Sequence, residues 1–547
     1  MTDLDLSLIE RRVDALLAPW AGGRGPGVTI GVVLEGRLAV HRHAGLASVE
    51  HGVPIGPATR FRIASVSKQF TCAAILMLAA EGKLSLEEEA RRYLPELPEY
   101  PQRVTVAHLM HNSSGIRDML EIMRHGGADL GTPIRLQDLV DGICRQRTLN
   151  FTPGSRFLYS NSNFLLLGLI VERLSGQTLD DFLEARIFAP LGMRDTRVTQ
   201  NVQAAIPNLA TGYFPDDECG WVRAPHAFPL HGEGGLASSV QDLALWARNF
   251  TTRRIGAGWL DELARQTPFN NGTVNRYARG LVVRPYRWLE TISHGGLWPG
   301  YRTEFLRVPA QEVTVIAISN SGASDPNLLA HQALDAVLEG RPGVHPVPAL
   351  PGREALEKLA GRYLDPETGA TLELAVSDRS KLTMTTNGLT VTAEATEDGR
   401  FASPRGSSVF ALRAAGPDAL EVEQDAGVVG IWRRVTPGSS LPEGLPGIYH
   451  SPEMATTWTV TEAEGKTCIR AAGPVVTGPL WELEPVQGDL FRVHVPGTLF
   501  RGWLDVRVLR EGGRIAGLEA SGGRVKRARY TRHEPDAAES PGRRGQS

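Results

Sequence analysis

Apolar and polar positions along the chain change period near residue 350. Before it the pattern is mainly helical. From Leu6 to Trp20 apolar residues recur at helical spacing and predict an amphipathic first helix. Ala21-Gly22-Gly23-Arg24-Gly25-Pro26-Gly27 breaks it. Val28 to Leu34 and Leu38 to Gly45 then predict two strands around the turn Glu35-Gly36-Arg37. Thr71 to Glu81 is an apolar run of helix formers and predicts a buried helix beginning near Ser65. Phe164 to Leu174 predicts a second buried helix. Gly300 to Leu306 and Val313 to Ser319 predict antiparallel strands that complete the sheet begun by residues 28–45. A helix from Asn327 to Leu338 closes the unit.

The Pro- and Gly-dense stretch Glu339 to Gly352 reads as a linker. Beyond it the apolar pattern alternates, predicting short strands punctuated by Gly, Asp, Asn and Pro. Residues 356–436 and 442–535 resemble each other at their ends. Leu359-Ala360-Gly361-Arg362-Tyr363 opens one and Leu445-Pro446-Gly447-Ile448-Tyr449 the other. Trp432-Arg433-Arg434 closes one and Tyr530-Thr531-Arg532 the other. This weak repeat predicts two small β-barrels. The expected organisation is therefore a first domain over 1–340, a linker over 341–355, barrels over 356–437 and 442–535, and a polar, disordered tail over 536–547.

Composition narrows the function classes. The 547 residues are 42% hydrophobic and 22% charged, ordinary for globular domains, and exceed what one core holds. Net charge is −3, with no basic excess to attract nucleic acid or anionic lipid. No apolar run approaches the ~18 residues of a transmembrane helix. The acidic start, Met1-Thr2-Asp3-Leu4-Asp5, lacks the basic region of a signal peptide, which points to the cytoplasm. Cys72, Cys144, Cys219 and Cys468 are scattered and predict free thiols, neither a zinc site nor a disulfide framework.

The candidate chemistry centres on Ser65 and Lys68. Residues three apart share a helix face, so the Lys68 amine can reach the Ser65 hydroxyl. A base that takes its proton turns serine into a good nucleophile. Only six of the 58 Lys and Arg residues are lysines, and before residue 350 only Lys68 and Lys83 are. Arginine cannot deprotonate, whereas a buried lysine can, so a lysine here suggests that a titratable amine matters. The plainer reading is a surface lysine with Ser65 as a helix cap. Tyr159 and Asn161 follow the Pro153-Gly154 turn, just ahead of the second buried helix. A core tyrosine and a helix cap are their structural alternatives. His231 to Leu243 is a Gly-rich bend without the lysine of a P-loop, read as close packing near a site. His294-Gly295-Gly296 gains weight only in company with the other motifs.

S-x-x-K, Tyr-x-Asn and His-Gly-Gly in this order resemble the penicillin-recognising serine hydrolases, which include class C β-lactamases and DD-peptidases. His294-Gly295-Gly296 stands where many members have Lys-Thr-Gly. The resemblance implies an α/β (α+β) β-lactamase/transpeptidase-like domain, with a central antiparallel sheet flanked by helices, ahead of the two antiparallel β-barrels. It implies acyl transfer at Ser65, with Lys68 and Tyr159 moving protons in an order the sequence leaves open. Backbone N–H groups of Ser65 and Gly296, or its neighbour Gly295, would hold the oxyanion. Asn161 and His294 would position substrate, and Arg302 could meet a substrate carboxylate or form a structural ion pair. No metal or organic cofactor is needed.

The Ser65–Cys72 stretch, the His-Gly-Gly triplet and the two barrels are most similar to the D-aminopeptidase branch. That resemblance implies release of N-terminal D-residues from small peptides, amides and esters, and it leaves a homodimer open. In that branch a loop of the last barrel carries an acid that meets the substrate amine. The equivalent stretch here, Ala472 to Leu480, includes Gly473, Pro474, Val475, Val476, Thr477 and Gly478 but no Asp or Glu. A preference for N-blocked, longer or neutral acyl groups is expected from that difference, unless Glu482 or another acid takes the role. An esterase, a β-lactamase-type hydrolase and a non-catalytic penicillin-binding sensor are the alternative readings.

Overall fold

The computed structural model describes residues 5–533 except 342, 347, 378–380, 397, 404–409, 425–427, 437, 439, 464 and 497–501. The expected disordered tail lies outside the described residues. Helix α1 (Leu6–Leu17) is capped by Asp5, whose side chain accepts from the Leu8 N–H, and it continues into a short 3₁₀ turn, Ala18–Trp20.

Six antiparallel strands form the central sheet: β1 (Val28–Leu34), β2 (Arg37–Ala44), β3 (Val282–Tyr286), β4 (Leu289–Trp298), β5 (Tyr301–Val308) and β6 (Val313–Ser319). Their order is β3-β4-β5-β6-β1-β2, so the last strand of the unit lies beside the first. One face of the sheet meets α1 and the helix Pro326–Leu338 through Val28, Ile30, Val313, Val315 and Leu306. The other face contributes Phe305, Ile316 and Ile318 to the large core that holds the site. Every residue of β6 is therefore buried, which explains why its sequence is continuously apolar instead of alternating.

Three helices of that second layer place the chemistry. Helix α2 (Lys68–Ala80) is buried along eleven residues, Lys68 to Leu78. Helix α3 (Met119–His125) is buried along its entire length and capped by Asp118. Helix α4 (Asn161–Ser175) packs against α2 and ends at Gly176 in the left-handed conformation.

The C-terminal half is antiparallel sheet. Among the described residues, nine strands between Gly361 and Arg434 form one sheet. The strands at its two ends, Leu389–Thr392 and Glu394–Ala395, are consecutive in the chain. One residue joins them, so the sheet curls back on itself into a barrel-like form. Eight strands from Gly447–Ser451 to Ala528–His533 close fully into a second barrel.

This closed barrel shares its core with the α2–α4 layer. Trp458, Trp481 and Tyr530 belong to the same buried cluster as Phe70 and Leu165. The end of α3 enters this barrel. Trp458 Nε1 donates to the His125 carbonyl at 2.9 Å, and Tyr530 Oη lies 2.9 Å from His125 Nδ1. Arg117 donates to Glu453 at 2.6 Å from a position that is 2% exposed. Separating this partly buried pair would leave the buried arginine charge without its carboxylate, which is costly. Among the described residues no helix is long and apolar enough to cross a membrane.

Candidate active site

Ser65 lies on a 3₁₀ turn, Ala64–Ser67, and not on the helix that the periodicity predicts from that point; α2 begins at Lys68. Ala64 takes a left-handed φ of 48°, which costs a residue with a Cβ about 1–2 kcal/mol. The turn lifts Ser65 out of the helix register while keeping Lys68 three residues on. Ser67 is committed elsewhere, since its Oγ accepts from the Leu236 N–H at 3.1 Å.

The Lys68 amine makes three close contacts: Ser65 Oγ at 3.0 Å, Asn161 Oδ1 at 2.9 Å and the Glu233 carbonyl at 2.5 Å. A neutral amine has two hydrogens and one lone pair. Asn161 Oδ1 and the Glu233 carbonyl can only accept, so they take both hydrogens. The lone pair is left facing Ser65 Oγ, ready to accept its proton. Burial favours this neutral form and lowers the Lys68 pKa to about 7, with the Glu233 carboxylate opposing the shift. Glu233 is itself buried, and its carboxyl pKa is raised by desolvation.

Tyr159 approaches from the other side. Burial raises its phenol pKa, while Arg524 and a hydrogen bond with Ser65 pull it back. The Lys68 amine sits 4.9 Å from the centre of its ring. Asn161, the first residue of α4, is held by its backbone N–H, which donates to Asp118 at 2.7 Å. Asp118 also caps α3, so one buried carboxylate ties the start of α3 to the start of α4.

His294 on β4 is 1% exposed. Its Nδ1 lies 2.6 Å from the Gly295 carbonyl and its Nε2 3.0 Å from Tyr277 Oη. A carbonyl only accepts, so Nδ1 carries the hydrogen and Nε2 accepts from the tyrosine. Burial, then the Lys68 charge, lowers the His294 pKa to about 3. The imidazole therefore stays neutral and contributes hydrogen bonds, not charge. Tyr277 in turn packs edge-on to Tyr159, ring centres 6.0 Å apart.

Gly296 follows on the same face of β4. A Cβ there would lie 2.2 Å from the Ile63 carbonyl oxygen. The strand and the Ser65 turn thus meet backbone to backbone, and glycine permits that approach. Gly295 points to the opposite face, toward Glu304 Oε2.

Arg302 is not brought to this cluster. It pairs with Leu297 across β4 and β5, while Gly296 pairs with Thr303. Alternation therefore turns Arg302 to the face covered by α1 and Pro326–Leu338. There its Nη1 donates to the carbonyls of Trp298 and Tyr301, at 3.0 and 2.8 Å. The stretch expected as a specificity loop is a tight hairpin turn: the Gly473 N–H donates to the Val476 carbonyl between two barrel strands. Gly473 and Gly478 pack against Gly126 and Gly127, just past α3. Val475 and Val476 are partly buried against the shared core.

Three residues of the site carry no sequence signal of their own, Asp118, Tyr277 and Arg524, while Glu233 lies in the Gly-rich bend read as packing near a site. Arg524, from the turn between the last two barrel strands, lies 4.6 Å from the centre of the Tyr159 ring. Its contribution to Tyr159 crosses more than 360 residues of chain, beyond the reach of any local pattern. Among the described residues no cluster of His, Cys, Asp and Glu is arranged to hold a metal ion.

Comparison with known proteins agrees with this layout. The Beta-lactamase family profile matches residues 9–338. The chain belongs to the beta-lactamase family. A D-aminopeptidase of Cereibacter sphaeroides is 29% identical over 539 residues, covering 97% of this chain and 99% of the relative. A D-aminopeptidase of Gluconobacter oxydans is 30% identical over 491 residues, 87% of each chain. The crystal structure of the D-amino acid amidase of Ochrobactrum anthropi SV3, in complex with D-phenylalanine, superposes with a TM-score of 0.52. That chain is 26% identical and covers 61% of this one and 98% of its own length. The Cereibacter sphaeroides match spans the two C-terminal sheets as well as the family domain.

Proposed function

We propose that this protein is a serine hydrolase that releases N-terminal D-residues from small peptides, amides and esters through an acyl-enzyme at Ser65. The observation that carries the reading is the buried Lys68 amine, 3.0 Å from Ser65 Oγ and held by Asn161 Oδ1 and the Glu233 carbonyl. The near-full-length similarity to D-aminopeptidases supports the substrate class.

Ser65 Oγ attacks the scissile carbonyl as Lys68 takes its proton. The backbone N–H of Ser65 and one from the edge of β4 beside Gly296 would hold the oxygen that becomes negative, where fixed dipoles lower the barrier. Tyr159, hydrogen-bonded to Ser65, relays the proton to the leaving amine. Water then repeats the sequence and frees the acid. Neutral His294 fixes Tyr277 and, through it, the wall behind Tyr159.

One observation favours a second reading, a hydrolase indifferent to a free amine. The Gly473–Gly478 hairpin carries no acid, and the Asp118 carboxylate beside Tyr159 already pairs with Arg524 at 3.5 Å. Neither the hairpin nor Asp118 then offers a free partner to a substrate ammonium. Turnover of D-alanine p-nitroanilide, its N-acetyl form and p-nitrophenyl acetate decides between the two. Strong preference for the first supports aminopeptidase specificity. Equal or better turnover of the N-acetyl anilide and the simple ester supports the second reading, and no turnover of any would overturn both.

A further inference from the structure

The turn between the last two barrel strands is held on the catalytic layer by its backbone. The N–H groups of Gly523, Arg524 and Val525 donate to the carboxylate of Glu121 at 3.1, 2.6 and 2.9 Å. The Arg524 carbonyl accepts from Asn150 Nδ2 at 3.0 Å. Glu121 is 6% exposed, so this clamp is shielded from water. None of these bonds uses the Arg524 side chain, which is left to project toward Tyr159.

There the guanidinium covers one face of the Tyr159 ring at 4.6 Å and approaches Asp118 Oδ2 at 3.5 Å. Asp118 accepts from the Asn161 N–H, and Asn161 Oδ1 accepts from Lys68. A chain of contacts thus runs from the barrel turn through Asp118 and Asn161 to the amine. We infer that Arg524 is a positioning residue of the Ser65 site, through which the terminal barrel supplies a fixed positive charge to the Tyr159–Lys68 pair. The inference rests on the acyl-enzyme reading above.

A cation on a ring face is attracted by the ring's negative quadrupole, and more strongly as the phenol gains anionic character. The same charge opposes protonation of Lys68. The other groups facing the pair are Glu233, Asp118 and Cys72 around Lys68, and Tyr277 and His294 beside Tyr159. Glu233 and Asp118 favour protonation of the amine. Arg524 is therefore the cation that offsets two carboxylates, and without it the site holds its protons to higher pH.

The test is the pH dependence of fluorophosphonate labelling of the full-length protein. In wild type the labelling rate rises as Lys68 loses its proton. In Arg524→Gln that rise should move to higher pH by about one unit, a tenfold slower rate on the rising limb. Arg524→Lys keeps a charge and should restore much of the position. A merely structural role would lower the rate equally at all pH values, or lower the melting temperature, without moving the limb. An unmoved limb in Arg524→Gln, with labelling abolished in Ser65→Ala, would overturn the inference alone. Persistent labelling of Ser65→Ala would overturn the reading on which it rests.

Discussion

The amine of Lys68 and the hydroxyl of Ser65 lie 3.0 Å apart, and Lys68 is wholly buried. Burial makes the amine a base near neutral pH because a charged form there would lose its hydration. A pKa of about 7 means that the base is half available at about pH 7. Acylation should therefore rise with pH through that value and fall below it as Lys68 becomes an ammonium.

Lys68→Arg keeps the positive charge but cannot give up its proton. It should be nearly as damaging as Lys68→Ala, measured as kcat/KM on a D-aminoacyl anilide. Substantial activity in the arginine variant would assign the base to Tyr159.

Gly296 and Ile63 make the second contact on which the site depends. Gly296→Ala would drive a Cβ to 2.2 Å from the Ile63 carbonyl, and backbone cannot yield there as a side chain can. Strand and nucleophile must separate, and a misplacement of about 1 Å costs on the order of 10²-fold in rate. Kinetics of Gly296→Ala should show that loss mainly in kcat, with the fold retained by circular dichroism.

Gly478 sets a constraint on the barrel side. A Cβ there would lie 2.9 Å from Gly127 Cα, so Gly478→Asp forces two backbones apart. Overpacking of that kind costs about 1–3 kcal/mol. Thermal melting should fall for Gly478→Asp, whereas Thr477→Asp, at an exposed position, should melt like wild type. An acid at 477 also tests the hairpin's reach: improved turnover of free-amine substrates would place the turn beside the substrate.

How much of this was legible in the sequence depends on the range of each contact. Ser65 and Lys68 are one turn apart, so their spacing alone brings them together. The Pro-Gly turn and buried helix around Tyr159 and Asn161 leave core and cap readings open, and it is the order of the three motifs that points them to the site. The 3₁₀ turn at Ser65 was not, since Ala64 in a left-handed conformation has no sequence mark. Sequence alone leaves strand register open, and a slip of one residue exchanges the two faces, so Arg302 reads there as a site candidate or a structural ion pair. Its partner in the register is Leu297, which turns it away. Asp118, Tyr277 and Arg524 enter from separate loops, and their spacing along the chain carries no period. The β-barrels were legible from alternation. That the closed barrel shares a core with α3 was not, because His125 and Trp458 are 333 residues apart.

The central claim is that Ser65 is acylated during turnover. The direct measurement is rapid acid quench of the enzyme mixed with a D-alanine ester, followed by peptide mapping by mass spectrometry. The account predicts a D-alanyl adduct on the peptide carrying Ser65, formed within the first turnover and absent from Ser65→Ala. An adduct on Ser67 or Ser160, or steady hydrolysis with no covalent adduct at any time, would contradict it.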